Sequence, residues 1–288
     1  MKLALGTAQF GLDYGIANST GHVSQPEAGL ILDYAEACGL DTLDTAVAYG
    51  NSEAVLGGLG VQHWRVVTKL PPVLENCNNI RDWVERQVSE SLDRLGKDRL
   101  HGLMLHRPEQ LLEKWASDLF PALQEQRSAG LTKKIGISVY GVEELEVLFD
   151  KFDFDIVQAP LNIFDQNLVS SGWAEKLKRS GVELHVRSPF LQGLLLMPMH
   201  KRPAKFDRWR QVWQIWDEWL LETGLSPLQA CLRYANSLDV VDRIVVGVDS
   251  VAQLTEIVAA AHGKLPSLPL FEPLDDPRLI NPSRWNEL

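Results

Sequence analysis

The feature that most limits how this chain can fold is a regular alternation along all of its 288 residues. Short apolar runs lie near 3–6, 40–45, 64–70, 100–106, 133–139, 154–159, 182–188 and 243–248. Between them lie helical patterns, each about 10 to 20 residues long, and strands spaced by such patterns predict βαβ units and a parallel sheet. The helix boundaries carry the right chemistry. "PEAGLILDYAEACG" opens on a proline, whose missing N–H is no loss in a first turn, and stops at Gly39. "IRDWVERQVSESLDRLG" sets Ile80, Val84, Val88, Leu92 and Leu95 on one face and ends at Gly96. Eight such units, with no break in composition and no long linker, predict an α/β protein: a single (β/α)8 TIM barrel over 1–288. A doubly wound sheet is the competing arrangement. The phosphate loops it usually carries, GxGxxG or GxxxxGK[ST], do not occur here. Residues 264–288, "KLPSLPLFEPLDDPRLINPSRWNEL", are Pro-rich and predict a non-helical, extended C-terminal tail lying against the barrel.

Charge and cysteine usage narrow the function classes. A net charge of −10 with no cluster of Lys and Arg argues against a nucleic-acid partner, since phosphate backbones are gripped by clustered cations. No stretch approaches the ~18 apolar residues of a membrane span, and the three apolar residues before Gly6 are too few for a signal-peptide core. Cys38, Cys77 and Cys231 are scattered, odd in number and form no CxxC, which disfavours a disulfide framework or a zinc site. A cytoplasmic protein with a small-molecule partner is expected, without metal. The number of subunits is left open.

Chemistry in a parallel barrel gathers at the C-terminal ends of the strands, and alternate residues point inward. In "LDTLDTA", Thr42 and Asp44 share a face. In "RVVTKLPP", Val67 and Lys69 share one, and the double proline ends the strand. In "LHGLMLHRP", Gly102, Met104 and His106 alternate against Leu103 and Leu105. Three consecutive strands thus end in an ionisable side chain of the same parity, with Tyr49 one short loop after the first. Each alone reads as a turn residue, a solvated lysine or a core histidine; their joint occurrence on neighbouring strands is much harder to dismiss as structural. A phenol is a poor acid near neutrality, with a free pKa of ~10. A cation such as Lys69 favours its phenolate by ~1–3 pH units, and a carboxylate such as Asp44 can hold and balance that cation when buried.

The chain resembles the aldo-keto reductase family through an ordered set of motifs spanning almost its whole length. They are "LGTAQFG", "LDTAVAYGNSEAVLG", "VVTKL", "LMLHRPE", "KKIGISVY", "DIVQAPLN", "RSPFLQG" and "VVGVDSVAQL". The resemblance implies a barrel that binds a nicotinamide cofactor without a Rossmann fold. It also implies a catalytic tetrad that falls on Asp44, Tyr49, Lys69 and His106. The reaction implied is reduction of a small polar aldehyde, ketone or sugar, or oxidation of the corresponding alcohol. The competing function within the same fold is a cofactor-binding redox sensor or regulatory subunit that scarcely turns over.

By the same resemblance Gly6, Thr7 and Ala8 line the reactive end of the cofactor, and Ser138 and Gln158 hydrogen-bond its carboxamide. The family usually has Asn after that Ser, where this chain has Val139. Ser188, Leu191 and Gly193 follow the pyrophosphate. Arg187 stands where many members put an aromatic ring, and a cation there is expected to disfavour the oxidised nicotinamide. The turn after the eighth strand departs most from the family. Members that hold a 2′-phosphate commonly use Lys or Arg with Ser, whereas this chain offers Gly247, Asp249, Ser250 and Gln253, with Ile257 where Asn is frequent. Ser250 and the helix N-terminus can still bind an anion, so NADP(H) is the expected cofactor and NAD(H) its rival.

Other conspicuous residues have plainer readings. In "FDRWRQVWQIWDEW", Phe206, Trp209, Trp213 and Trp216 fall at helical spacing and read as core, although the segment follows strand seven and some rings could meet substrate. His185 reads as a hydrogen-bonded residue inside the barrel. His101 and His106 lie on opposite strand faces and are not paired metal ligands. Asp13, Tyr14 and His22 sit in a turn-rich loop above the site and could touch substrate, although solvated loop roles are the plainer reading.

Overall fold

In the computed structural model, which describes residues 1–15, 21–271 and 276–288, eight parallel strands close into a barrel in chain order. They are β1 (Leu3–Gly6), β2 (Thr42–Asp44), β3 (Arg65–Leu70), β4 (Leu100–Leu105), β5 (Thr132–Ser138), β6 (Ile156–Pro160), β7 (Glu183–Arg187) and β8 (Arg243–Gly247). The predicted apolar runs overlie all eight. The seam is sealed by β1 against β8, from Leu3 opposite Ile244 to Gly6 opposite Gly247.

The principal helices are α1 (Gln25–Ala37), α2 (Ser52–Leu59), α3 (Ile80–Leu95), α4 (Ala116–Ser128), α5 (Val142–Leu148), α6 (Asn167–Ser170), α7 (Trp173–Arg179), α8 (Arg210–Thr223), α9 (Pro227–Ser237), α10 (Val251–Ala260) and α11 (Pro277–Ile280). Local chemistry explains their ends. Ser24 caps α1 by accepting from Glu27 N, and Asn79 caps α3 through Arg81 N and Asp82 N. Gly96 ends α3 at φ 61°, a left-handed turn that suits glycine. Several helices are shorter than the sequence pattern suggests, α5 having 7 residues and α6 only 4.

The tail corrects the expectation of an extended, non-helical flap. Asp276 caps α11, Asn281 caps a 3-10 turn over Pro282–Glu287, and each turn begins with proline, here a starter and not a breaker. Trp285 pins this end: its Nε1 donates to Leu279 O at 3.0 Å and its ring meets Phe206 edge-on at 5.0 Å. The aromatic segment is core. Phe206, Trp209, Trp213 and Trp216 are all buried, and the last two pack on Phe164.

The barrel interior is layered. In its middle Val67, Met104 and Ile156 form an apolar cluster separate from the main core. Gly136 makes room beside them, since a β-carbon there would overlap the carbonyl oxygen of Ile156. At the N-terminal end the Glu183 carboxylate is bonded by Lys134 (2.5 Å), His185 (2.7 Å) and His101 (3.0 Å). Burial would raise this carboxyl, but those three partners hold it far below the usual carboxylate range. His185 is thus a hydrogen-bonded interior residue, and His101 lies at the opposite end of β4 from His106. The chemistry foreseen at the C-terminal rim therefore sits above a dry, filled barrel.

Candidate active site

Asp44 is the last residue of β2, and Lys69 lies one residue before the end of β3. The parity read from sequence brings both to the rim. Lys69 Nζ donates to Asp44 Oδ1 (2.7 Å), Asp44 Oδ2 (2.9 Å) and Thr45 O (2.9 Å). Those contacts match an ammonium's three donors, which explains how a lysine of zero exposure stays charged. Asp44 Oδ2 also accepts from Gln158 Nε2 at 2.6 Å, and Ser138 Oγ donates to Gln158 Oε1 at 3.2 Å. A hydrogen-bonded line therefore runs from β5 through β6 to the ion pair.

Tyr49 stands over that pair, with Lys69 Nζ 5.1 Å from its ring centre. Its loop is braced twice. Tyr49 N donates to Ala46 O and Ser52 N to Tyr49 O, both at 3.0 Å. Gly11, from the turn after β1, packs so closely that a β-carbon would overlap the Tyr49 carbonyl oxygen. His106, one residue past β4, meets the Tyr49 ring edge-on at 5.9 Å and 84°.

The electrostatics follow from burial and charge. Burial alone would lower Lys69, yet Asp44, with help from the Tyr49 phenol, holds its ammonium above the ordinary value. Burial raises Tyr49, and Lys69 pulls it down without cancelling that effect. The cation acts as the sequence reading required, but the net direction is upward, so the resting group is the neutral phenol. Burial and the neighbouring Lys69 charge push His106 down to about 4, leaving a neutral imidazole at pH 7.

A cleft of about 400 Å³ leads from Asp44 and Tyr49 past Gln158 and β7 to the turn after β8. Of the residues expected to hold a cofactor, Gly6, Thr7, Ala8, Gln158, Arg187, Ser188, Gly193, Gly247, Asp249 and Gln253 line it. Three do not. Leu191 is fully buried in the core, Ser138 lies behind Gln158, and Ser250 is spent as the N-cap of α10. Arg187 donates to Val139 O at 3.0 Å and lies over the Tyr140 ring at 4.8 Å. Tyr14, expected as a solvated loop residue, reaches the cleft mouth, whereas Asp13 and His22 pair with each other in the open.

Sequence reasoning missed Gln9, Phe190, Gln192, Leu196, Leu228 and Glu256, which also line the cleft and belong to no spacing pattern. It missed a backbone feature as well. Ser188 (φ 61°), Leu191 (47°) and Gln192 (52°) are left-handed non-glycine residues, all in the segment after β7. Such residues cost of order 1–3 kcal/mol each and persist only where the surroundings enforce them. Asn162 Nδ2 helps by donating to Ser188 O at 3.2 Å.

The model of the aldo/keto reductase family matches residues 2–268. The chain belongs to the aldo/keto reductase family. Among its relatives is a D-threo-aldose 1-dehydrogenase from Pseudomonas sp., 27% identical over 96% of each chain. An L-galactose dehydrogenase of Arabidopsis thaliana is 27% identical over 83% of this chain and 79% of its own. The fold is shared with a holo-form aldo-keto reductase from Bacillus halodurans at a TM-score of 0.73, with 20% identity over 92% of this chain and 88% of that one. The protein is accordingly an oxidoreductase of the nicotinamide-dependent, carbonyl-directed kind. No helix among its described residues is long and apolar enough to cross a membrane.

Proposed function

We propose that this aldo-keto reductase interconverts a carbonyl and an alcohol on a small polar or sugar substrate, with Tyr49 as the proton donor in the reducing direction. The reading is carried by one observation: Lys69 and His106 gather about Asp44 and Tyr49, which themselves line a nucleotide-sized cleft. When bound, a nicotinamide would supply the hydride that the carbonyl carbon needs. The chain's own residues manage the oxygen.

Tyr49 waits as a phenol because burial disfavours its anion, and Lys69 stabilises the phenolate as the proton leaves. Asp44 fixes the lysine and balances it. A neutral His106 donates a hydrogen bond to the substrate oxygen and orients it toward the phenol. Gln158 lines the cleft and, beyond the hydrogen given to Asp44, keeps a second amide hydrogen for the carboxamide, with Ser138 orienting it. Gly6, Thr7 and Ala8 flank the same end, and the stretch from Arg187 to Gly193 forms the opposite wall. The similarity to aldose and galactose dehydrogenases supports a polyhydroxylated substrate. Three free cysteines support a reducing compartment such as the cytoplasm.

The test is Tyr49→Phe. Folding and cofactor affinity should stay near wild type while reduction of an aldehyde and sugar panel falls by ~10²–10⁴. Unchanged turnover would remove Tyr49 from the role. A wild type that binds cofactor and turns over no carbonyl would remove the reading.

A further inference from the structure

The turn after β8 lines the cleft beyond Tyr49, and three of its backbone donors are already committed. At an open helix N-terminus the first backbone N–H groups would hold a phosphate. Here Asp249 N donates to Gln253 Oε1 (2.8 Å), Gln253 N to Ser250 Oγ (3.3 Å), and Val251 N to Glu27 Oε1 of α1 (3.1 Å). The last of these sets a carboxylate on the helix end, where a phosphate would need to be. Asp249 and Glu256 line the same end of the cleft and add two more. Asp249 Oδ1 is buried without a hydrogen-bond partner among the described residues. The cationic side chain of the cleft lining, Arg187, stands at the end of β7 with its guanidinium bonded to Val139 O and stacked on Tyr140.

We propose that this end of the cleft is a ribose site for free 2′- and 3′-hydroxyls, so that the chain takes NAD(H) and rejects NADP(H). It rests on the nicotinamide reading above and departs from the NADP(H) preference expected from sequence. Asp249 is the specificity-determining residue. A carboxylate only accepts hydrogen bonds, and so does a phosphate. The two bring no donor to share, and like charges close together repel. A ribose hydroxyl, in contrast, supplies the donor that Asp249 Oδ1 lacks. With Asp249 N, Gln253 N and Val251 N taken by Gln253, Ser250 and Glu27, a 2′-phosphate finds fewer backbone donors at this turn and, among the described residues around it, three carboxylates and no cation.

The experiment is titration of the full chain with NAD⁺ and NADP⁺, read by tryptophan fluorescence at low and high salt. NADP⁺ should bind about tenfold or more weakly, and the gap should narrow as salt screens the repulsion. Asp249→Asn should tighten NADP⁺ several-fold, roughly the effect of removing one nearby like charge, while weakening NAD⁺. Glu256→Gln, at an exposed helix position, should move NADP⁺ in the same direction without disturbing the fold. Equal or tighter wild-type binding of NADP⁺ overturns the proposal. So does a ratio of dissociation constants left unchanged by both substitutions. Affinity is read here without turnover: loss of both nucleotides sinks the nicotinamide reading and this one together, whereas a preference for NADP⁺ sinks this one alone.

Discussion

Asp44→Asn tests the ion pair from which the site is built. The substitution keeps the shape of Asp44 and removes its charge, leaving Lys69 at zero exposure without a counter-ion. Breaking a buried pair from one side costs about 3–5 kcal/mol, a fifth or more of the about 5–15 kcal/mol that holds a typical domain folded. The effect has a definite pH signature. In the wild type Asp44 holds Lys69 above its ordinary value, so the pair's contribution is complete below ~10.4 and drains away as pH rises through the folded value. In the variant burial acts unopposed and Lys69 falls below its ordinary value. The folded chain then binds fewer protons than the unfolded one, so its stability rises with pH. Lys69→Met alone strands Asp44, whereas the double variant removes both charges and should be more stable than either single one. The expected coupling is about 2–4 kcal/mol. Urea unfolding at pH 7 and pH 9, followed by the fluorescence of the nine tryptophans, measures it. A loss below about 1 kcal/mol for Asp44→Asn, or single costs that simply add in the double variant, would refute the reasoning.

Further outcomes follow from other buried groups. Burial pushes Asp165 up to about 6, so the folded chain loses stability as pH rises from ~3.8 to about 6. Asp165→Asn should therefore stabilise by about 1–3 kcal/mol at pH 7 and hardly at all at pH 4, with equal gains at both excluding the charge. His106 is depressed to about 4, so its neutral form favours the fold and that contribution is lost as pH falls from ~6.5 toward about 4. His106→Gln should lose about 2–3 kcal/mol less than wild type across that window in the same unfolding measurement. Gly11→Ala puts a β-carbon into the Tyr49 carbonyl oxygen and close to Ser52 N. The chain should still fold, but displacement of the phenol should cut kcat/KM by about 10–10²-fold, and unchanged kinetics would show that the loop yields elsewhere.

What was legible in the sequence and what was not divide along physical lines. Strands buried on both faces, such as β1 (LALG) and the middle of β8 (IVV), are nearly continuous apolar runs and stand out from any background. The period of two then assigns a face to Asp44, Lys69, Ser138 and Gln158 with no coordinates at all. Contacts that depend on closure of the barrel have no such signature. Glu27 caps α10 from 224 positions away, and Gly11 reaches Tyr49 across the β1–β2 seam. The left-handed residues from Ser188 to Gln192 carry no glycine to announce them, except Gly193 just beyond. In the tail, prolines counted as breakers although Asp276 and Asn281 directly before Pro277 and Pro282 are a local cap-and-proline signal for a helical start. The nucleotide turn hides a related contact: Ser250 reads as free to bind an anion, whereas its Oγ accepts from Gln253 N and distant Glu27 accepts from Val251 N.

The filled middle of the barrel also governs proton traffic. Val67, Met104 and Ile156 have no exposed surface and offer water nothing to bond. From below, the polar line that starts at Glu183 ends at His185, whose Nδ1 has no partner among the described residues. Among the described residues no side-chain hydrogen-bond line therefore joins this floor to Tyr49, which faces the cleft at the rim. In the proposed role of Tyr49 as proton donor, its reprotonation and the departure of product would share that one doorway, and an occupant that lingers there would delay both.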